Sequence, residues 1–199
     1  MKKIKNSFPL FLIFLVMFFV FSSLAAAQPN NYIVGKFGGY SPASNDLTGF
    51  DTDFNGELAF GHYFNRNFAT EFGVGHLQTS GTVCLDINCF TLGTQNIDAT
   101  YIDGTAKLVF PFPYYYPPAY NVSSGDLYVG GGVGVYFVHD NLLGDATTPG
   151  GHILGGADFN ITREVFLGLE AKYIFLKPFD QPSTDMEGFI FSGNIGYRF

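Results

Sequence analysis

The stretch Gly188-Phe189-Ile190-Phe191-Ser192-Gly193-Asn194-Ile195-Gly196-Tyr197-Arg198-Phe199 ends the chain and decides its fold. Its odd-numbered positions hold aromatic residues, isoleucine or glycine, whereas its even-numbered positions are Ile190, Ser192, Asn194, Gly196 and Arg198. A period of two residues is typical of a β-strand, because successive side chains point to opposite faces of a sheet. The last strand therefore has one apolar face and one face that accepts polar and charged groups.

The same alternation recurs throughout the chain in segments of about ten residues, separated by residues that favour turns. We predict strands at 32–40, 53–64, 68–78, 99–111, 127–139, 151–161, 165–177 and 187–199. The connections leave no room for crossover helices, which parallel strands would need. The sequence therefore predicts an all-β fold, an eight-stranded antiparallel up-and-down β-barrel.

The N-terminal segment has the three parts of a secretory signal peptide. Three lysines precede an unbroken apolar run over residues 10–21, and small residues follow at Ala25 and Ala27. A membrane-anchoring helix is the alternative, but no basic cluster follows Gln28 to stop transfer. We expect residues 1–27 to be removed and residues 28–199 to form one exported barrel domain.

Composition excludes several classes of protein. Only 14% of the residues are charged, against roughly 25% in ordinary soluble domains, while 18% are aromatic. The formal net charge of −7 gives no electrostatic footprint for a nucleic-acid partner. A cytosolic enzyme and a nucleic-acid-binding protein are both disfavoured.

All strand charges share one face when each strand is phased by its alternation. They are Lys36, Glu57, Glu71, Asp103, Lys107, Asp158, Glu170, Lys172 and Arg198. A soluble barrel of the lipocalin kind would show the same period with its apolar face inside. Three observations favour the opposite orientation: eight strands enclose too little space for so many Phe residues, glycines alternate with the charges, and the charges nearly balance. We predict an ion network in the lumen.

Apolar residues on the outside of an exported barrel imply contact with hydrocarbon, where a closed sheet leaves no backbone edge unpaired. We therefore expect an integral protein of the Gram-negative outer membrane, with its N- and C-termini in the periplasm. Lipid and lipopolysaccharide are the expected partners. The acidic connections at 41–52, 79–98, 140–150 and 178–186 are then expected at the cell surface.

Taken together, these features resemble the small opacity-protein or OmpW-like outer-membrane barrels. The final residues, with Tyr197 and Phe199 on one face, are similar to the C-terminal assembly signal of such barrels. The resemblance implies recognition by the barrel-assembly machinery during insertion. It also implies handling of small hydrophobic molecules that enter from outside and leave sideways into the bilayer.

The predicted inward face changes along its depth. Residues near the outer end form an apolar outer mouth: Tyr40, Leu77, Tyr101, Tyr136, Val138, Leu154, Ile174, Leu176 and Ile190. The predicted function is a closed or narrow barrel that binds or passes small hydrophobic molecules at this mouth. The alternatives are a structural or adhesive surface protein that acts through its acidic loops, and a soluble periplasmic ligand-binding barrel.

Few residues suggest chemistry. Cys84 and Cys89 are expected to form a loop disulfide, because an exported protein meets an oxidising compartment. His139 and His152 flank a predicted outer loop and could approach each other, but two histidines are a weak metal signal. We predict no cofactor, no metal site and no enzymatic activity. The Pro-rich and Tyr-rich connection at 111–125 is expected to lie outside the strand ladder.

Overall fold

The computed structural model describes residues 30–43, 51–84, 91–113, 124–141, 144–176 and 186–199. They form eight strands: β1 Asn31–Pro42, β2 Asp53–Asn65, β3 Phe68–Cys84, β4 Thr91–Pro113, β5 Ser124–Asp140, β6 Gly144–Asn160, β7 Val165–Leu176 and β8 Gly188–Arg198. Each strand pairs antiparallel with the next, and β1 pairs with β8 to close the barrel. The predicted fold class is confirmed.

The two faces of each strand differ as the alternation indicates. On β8, Phe191 is 57% exposed on the outer wall while its neighbour Ser192 is 7% exposed in the lumen. Large apolar side chains cover the outside of every strand, including Val133 and Leu169. A barrel with such an exterior is suited to hydrocarbon, and its closure satisfies the backbone polar groups that hydrocarbon cannot.

Four neighbouring strands, β3 to β6, are longer than predicted. The connection expected at 79–98 is largely strand, and most of the connection expected at 140–150 belongs to β6. Both predictions are wrong for the same reason. In the outer parts of these strands polar residues such as Gln78 and Asp145 replace the apolar residues of the outward face, so the pattern used to recognise a strand is lost.

Pro111 and Pro113 also lie within β4, where they pair with Asp126 and Ser124 of β5. The prediction that proline keeps the connection at 111–125 out of the ladder is therefore wrong for Pro111 and Pro113. The backbone N–H of Val109 points towards β3 and donates to the Asn67 carbonyl oxygen. At residues 111 and 113, which have the same parity as residue 109, an N–H group would also point towards β3. The pairing of β4 with β3 ends at Leu108, so the N–H groups that these prolines lack have no ladder partner to lose.

Lumen side chains fill the barrel because glycines make room for them. The ring of Tyr32 lies against Gly61, and the ring of Phe166 lies against Gly196. A Cβ atom on Gly196 would come within 2.0 Å of the Phe166 ring. Each of these pairs faces directly across two neighbouring strands. Interiors of eight-stranded barrels are just wide enough for side chains, so one large residue needs a small partner.

Several predictions fall outside the described residues. The signal peptide at 1–27, Cys89 of the expected disulfide and the segment 114–123 are among them. Cleavage before Gln28 and the Cys84–Cys89 bond therefore remain predictions. Among the residues with described positions, no helix is long and apolar enough to cross a membrane.

Candidate functional site

Lys36 of β1 is the hub of the charged groups at mid-height in the lumen. Its ammonium group lies 2.9 Å from a Glu57 carboxylate oxygen and 3.0 Å from one of Glu170. It also donates to Glu71, which lies on β3. These carboxylates come from β2, β3 and β7, so the contacts of one lysine span the barrel.

Two further lysines complete this layer. Lys107 lies 2.6 Å from Glu71, and Lys172 lies 2.6 Å from Glu57 and 3.0 Å from Asp103. We call this set the central ion network: Lys36, Glu57, Glu71, Asp103, Lys107, Glu170 and Lys172. All seven side chains are buried. Buried charges require such pairing, because their desolvation penalty is several kcal/mol per ion.

Tyrosine hydroxyl groups satisfy remaining acceptors of the network. Tyr32 donates to Glu71 at 2.9 Å, Tyr101 to Glu57 at 2.9 Å, and Tyr128 to Glu170 at 3.1 Å. These hydroxyl groups were not among the predicted members of the network. Their inward parity was the available signal, but the carboxylate that each one meets depends on the register between strands.

His152 joins the network from β6 and does not approach His139. Its Nε2 lies 2.8 Å from the Thr105 hydroxyl, and its Nδ1 lies 3.7 Å from an Asp103 oxygen. The predicted approach is wrong because β6 begins at Gly144, so His152 pairs with Gly132 while His139 pairs with Asp145. Among the residues that can be described, no group of three or more His, Cys, Asp or Glu could hold a metal ion.

Arg198 and Asp158 lie outside this layer, nearer the chain termini, where Asp158 pairs in register with Asp126. The Arg198 guanidinium pairs with Asp126 at 3.0 Å and donates to Asn160. Asp126 was missed because the predicted fifth strand began one residue later. One carboxylate oxygen of Asp158 has no hydrogen-bond partner within the described part of the chain. The nine predicted charges thus divide between the central ion network and this end of the lumen.

The other end of the lumen is apolar. We call the cluster there the outer cup: Tyr40, Leu77, Ile97, Ala99, Tyr101, Tyr136, Ile174, Leu176, Met186 and Ile190. Val138, also predicted at the mouth, packs against it and is partly buried. Three of its members were not predicted at the mouth: Ile97 lay in the connection predicted at 79–98, Ala99 began the strand predicted at 99–111, and Met186 ended the connection predicted at 178–186.

Leu154 is the exception among the predicted mouth residues. It packs with Ala69, Val109 and Tyr128 in a separate cluster. Its register partners are Gly130 and Lys172. Placing it at the mouth was wrong, because the height of a residue depends on the stagger between tilted strands, which a single strand does not reveal.

The outer cup contains polar atoms as well. The rings of Tyr101 and Tyr136 stack with their centroids 5.2 Å apart. The hydroxyl of Tyr40 donates to the Glu187 carbonyl oxygen over a long 3.5 Å. The hydroxyl of Tyr136 is buried and finds no partner among the residues placed by the structure.

Comparison of the sequence with protein families agrees with this closed eight-stranded barrel, its charged lumen and its apolar exterior. The model of the outer membrane protein beta-barrel domain matches residues 11–199. The chain belongs to this family. It is therefore an outer-membrane β-barrel protein, and the soluble periplasmic alternative is wrong because the large apolar side chains face outwards.

Solved structures share the fold at low sequence identity. Neisserial surface protein A is 15% identical, with a TM-score of 0.59, and the match covers 87% of this chain and 100% of that one. The outer membrane protein OprG of Pseudomonas aeruginosa is 14% identical, with a TM-score of 0.57, covering 87% of this chain and 98% of that one. No curated protein matches the chain by sequence.

Proposed function

We propose that the protein binds small hydrophobic molecules in the outer cup, while the central ion network below it closes the lumen to water and ions. The observation that carries this proposal is the arrangement of two layers, an apolar cluster above a layer of paired charges. Small-molecule sites are typically apolar with a few polar groups. The role is one of binding and passage and involves no catalytic step.

Closure of the lumen is supported by the burial of every member of the central ion network. Their contacts join β1, β2, β3, β4 and β7, so the paired groups extend across the barrel interior. Barrels that hold an aqueous channel have about 16 strands or more. We therefore expect no measurable ion conductance.

A sideways route is supported by the uneven height of the barrel wall. The last pair between β6 and β7 is Gly150 with Leu176, and β6 continues beyond it through Gly144–Pro149. On the opposite flank, β3 extends beyond its last pair with β2, which joins Asn55 to Leu77. Among the described residues, the paired strands beside the outer cup thus end lower at β7, β8, β1 and β2 than at β3 to β6.

The outside of this lower wall is aromatic. The Tyr173 ring lies 4.7 Å from the rings of both Phe175 and Phe189, measured between centroids. Aromatic side chains of this kind mark the interface between headgroups and hydrocarbon. A hydrophobic molecule that leaves the outer cup over this side would enter the outer leaflet.

The proposed orientation places both termini and the short turns in the periplasm. The turn at 66–67 and the bends at 161–164 lie at the end of the barrel where Asn31 and Phe199 hydrogen-bond to each other. Short periplasmic turns are typical of outer-membrane barrels. Tyr197 and Phe199 are 50% and 54% exposed on the outer wall, which supports their recognition by the barrel-assembly machinery. Lipid and lipopolysaccharide would surround the barrel.

The test compares uptake of a small hydrophobic dye by cells with and without the protein. Wild-type protein should raise uptake, Ile174→Asn in the outer cup should abolish the increase, and Val109→Asn should preserve it. Val109 is an equally buried lumen residue outside the outer cup, so it controls for the cost of a buried amide. Each variant must first be shown to fold in the membrane.

Equal uptake with and without the protein would contradict the proposal, and so would ion conductance of the wild type in planar bilayers. The adhesive alternative would then be favoured. Two of its four acidic connections, 41–52 and 178–186, lie mostly outside the described residues, so that alternative remains a prediction.

A further inference from the structure

We propose that the floor of the outer cup binds a neutral hydroxyl group, so that the protein prefers hydrophobic alcohols to alkanes, carboxylates or amines of the same length. This inference rests on the binding role proposed above and adds the class of ligand. The side chain that carries it is Tyr136, whose hydroxyl has no hydrogen-bond partner among the described residues.

Tyr136 is fully buried at 0% exposure, and its position is tightly fixed. Its ring stacks on Tyr101 and lies over Gly150, where an added Cβ would come within 2.9 Å of the ring. Its hydroxyl has no hydrogen-bond partner in the described part of the protein. Buried hydroxyl groups are nearly always paired, so an orphaned one calls for an explanation.

Three other buried lumen tyrosines differ from Tyr136 in this respect. Tyr32, Tyr101 and Tyr128 each donate to a carboxylate of the central ion network. Tyr136 is near enough to interact electrostatically with Lys172 and Asp103, yet it bonds to neither. Its hydroxyl therefore lies at the boundary between the outer cup and the network.

A second unpaired atom belongs to His152, which pairs in register with Ile174 of the outer cup. Its Nδ1 has no hydrogen-bond partner among the residues described and lies 3.7 Å from an Asp103 oxygen. Nε2 of the same ring is occupied by Thr105. Two uncharged polar atoms are thus left unpaired beside an apolar cluster, which is the pattern of a site that fixes one polar group of a hydrophobic ligand.

The net charge of the central ion network determines which polar group of a ligand can bind beside it. The central ion network contains three lysines and four carboxylates, so it carries one excess negative charge when all seven are ionised. An added carboxylate would meet repulsion, and the nearest cation, Lys172, is already bonded to Glu57 and Asp103. A protonated amine would lose its hydration on binding, and it carries more hydrogen-bond donors than the unpaired acceptors described at this boundary could satisfy. A hydroxyl group can donate and accept once each at low cost.

The tail of such a ligand would take the place of side chains in the outer cup. Leu77, Ile174 and Ile190 line it with aliphatic groups, and Met186 packs there as the most adaptable member. Because these side chains are closely packed, binding requires Met186 to move. An aliphatic tail would then replace one set of apolar contacts with another.

The experiment measures binding of 1-octanol, octane, octanoate and octylamine to the full protein in lipid nanodiscs, with protein-free nanodiscs as the correction for partitioning. Wild-type protein should bind octanol about tenfold more tightly than octane, the factor expected for one added hydrogen bond. Tyr136→Phe should remove this preference and leave octane binding unchanged. Tyr63→Phe, at the other end of the lumen, should retain it.

A second measurement needs no variant. The ring signals of Tyr136 in selectively labelled protein should shift with octanol and much less with octane. Equal affinities for octanol and octane would overturn the inference and leave the proposed binding role intact. Stronger binding of octanoate or octylamine would also overturn it, as would a preference that survives Tyr136→Phe. If no ligand binds at all, the proposed function itself fails.

Discussion

The ring of Tyr101 on β4 lies directly across Gly75, its paired neighbour on β3. A Cβ atom on residue 75 would fall 2.3 Å from Cζ of that ring. The same ring stacks on Tyr136 and directs its hydroxyl to Glu57. One glycine therefore supports both the floor of the outer cup and an acceptor of the central ion network.

Gly75→Ala should destabilise the protein by about 1–3 kcal/mol, because the added methyl group must displace the Tyr101 ring from its stacked and hydrogen-bonded position. Gly104→Ala is the matched control, since a Cβ there meets nothing within 4 Å. The measurement is urea unfolding in detergent micelles. Equal effects of the two substitutions would show that the close approach of Tyr101 has no energetic importance.

Lys36→Met should cost about 3–5 kcal/mol, because it leaves carboxylates buried without their shared cation. Glu57, Glu71 and Glu170 all contact this lysine. Arg66→Met removes a cation from an exposed turn and should change the free energy of unfolding little. An unaltered unfolding midpoint for Lys36→Met would speak against the central ion network as a cohesive unit.

The pKa of His139 should be raised above its ordinary value near 6.5 by its hydrogen bond to Asp145 and by the charge of that carboxylate. His139 is exposed beyond Phe137, the last outward aromatic residue of β5. The folded state therefore favours the imidazolium. Its contribution to stability is present at pH values below the unfolded pKa and is lost as the pH rises through the folded pKa.

Titration of the His139 ring by NMR checks the direction of this shift. Asp145→Asn should return the pKa of His139 towards its ordinary value, although Asp98 and Asp140 still act on it. An identical titration curve in the variant would mean that the contact with Asp145 is not made in solution.

The protein isolated from outer membranes should begin at Gln28, because the small residues at Ala25 and Ala27 suit a signal peptidase. N-terminal sequencing of the purified protein is the measurement. Retention of the lysines near residue 1 would mean that the segment 1–27 stays attached.

Much of the fold could be predicted because its signal is local. Period-two alternation assigns each residue to a face without knowledge of its neighbours on other strands, as in the contrast between Phe191 and Ser192. The reversal of hydrophobicity, with charges inside, followed from the narrow interior of eight strands. The face of each residue can therefore be inferred from one strand at a time.

The rest depends on relations between strands. The position of Leu154 along the barrel axis depends on the stagger between strands. Pro111 is tolerated in β4 because the pairing with β3 has already ended at Leu108. The residues that His152 meets depend on the register of β5 with β6. Asp126 was missed because the predicted fifth strand began one residue later, and the outer ends of β3 to β6 were missed because polar residues there do not repeat the lipid-facing pattern. No single segment of sequence carries that information.

Binding of a hydrophobic molecule above the central ion network can be observed by methyl NMR of the protein in nanodiscs. Titration with octanol should shift the methyl signals of Leu77, Ile174 and Ile190 in the outer cup. The methyl signals of Val34 and Val109, which lie in the lumen outside the outer cup, should stay unchanged. Shifts confined to methyl groups on the lipid-facing wall, or shifts throughout the lumen, would rule out specific binding in the outer cup.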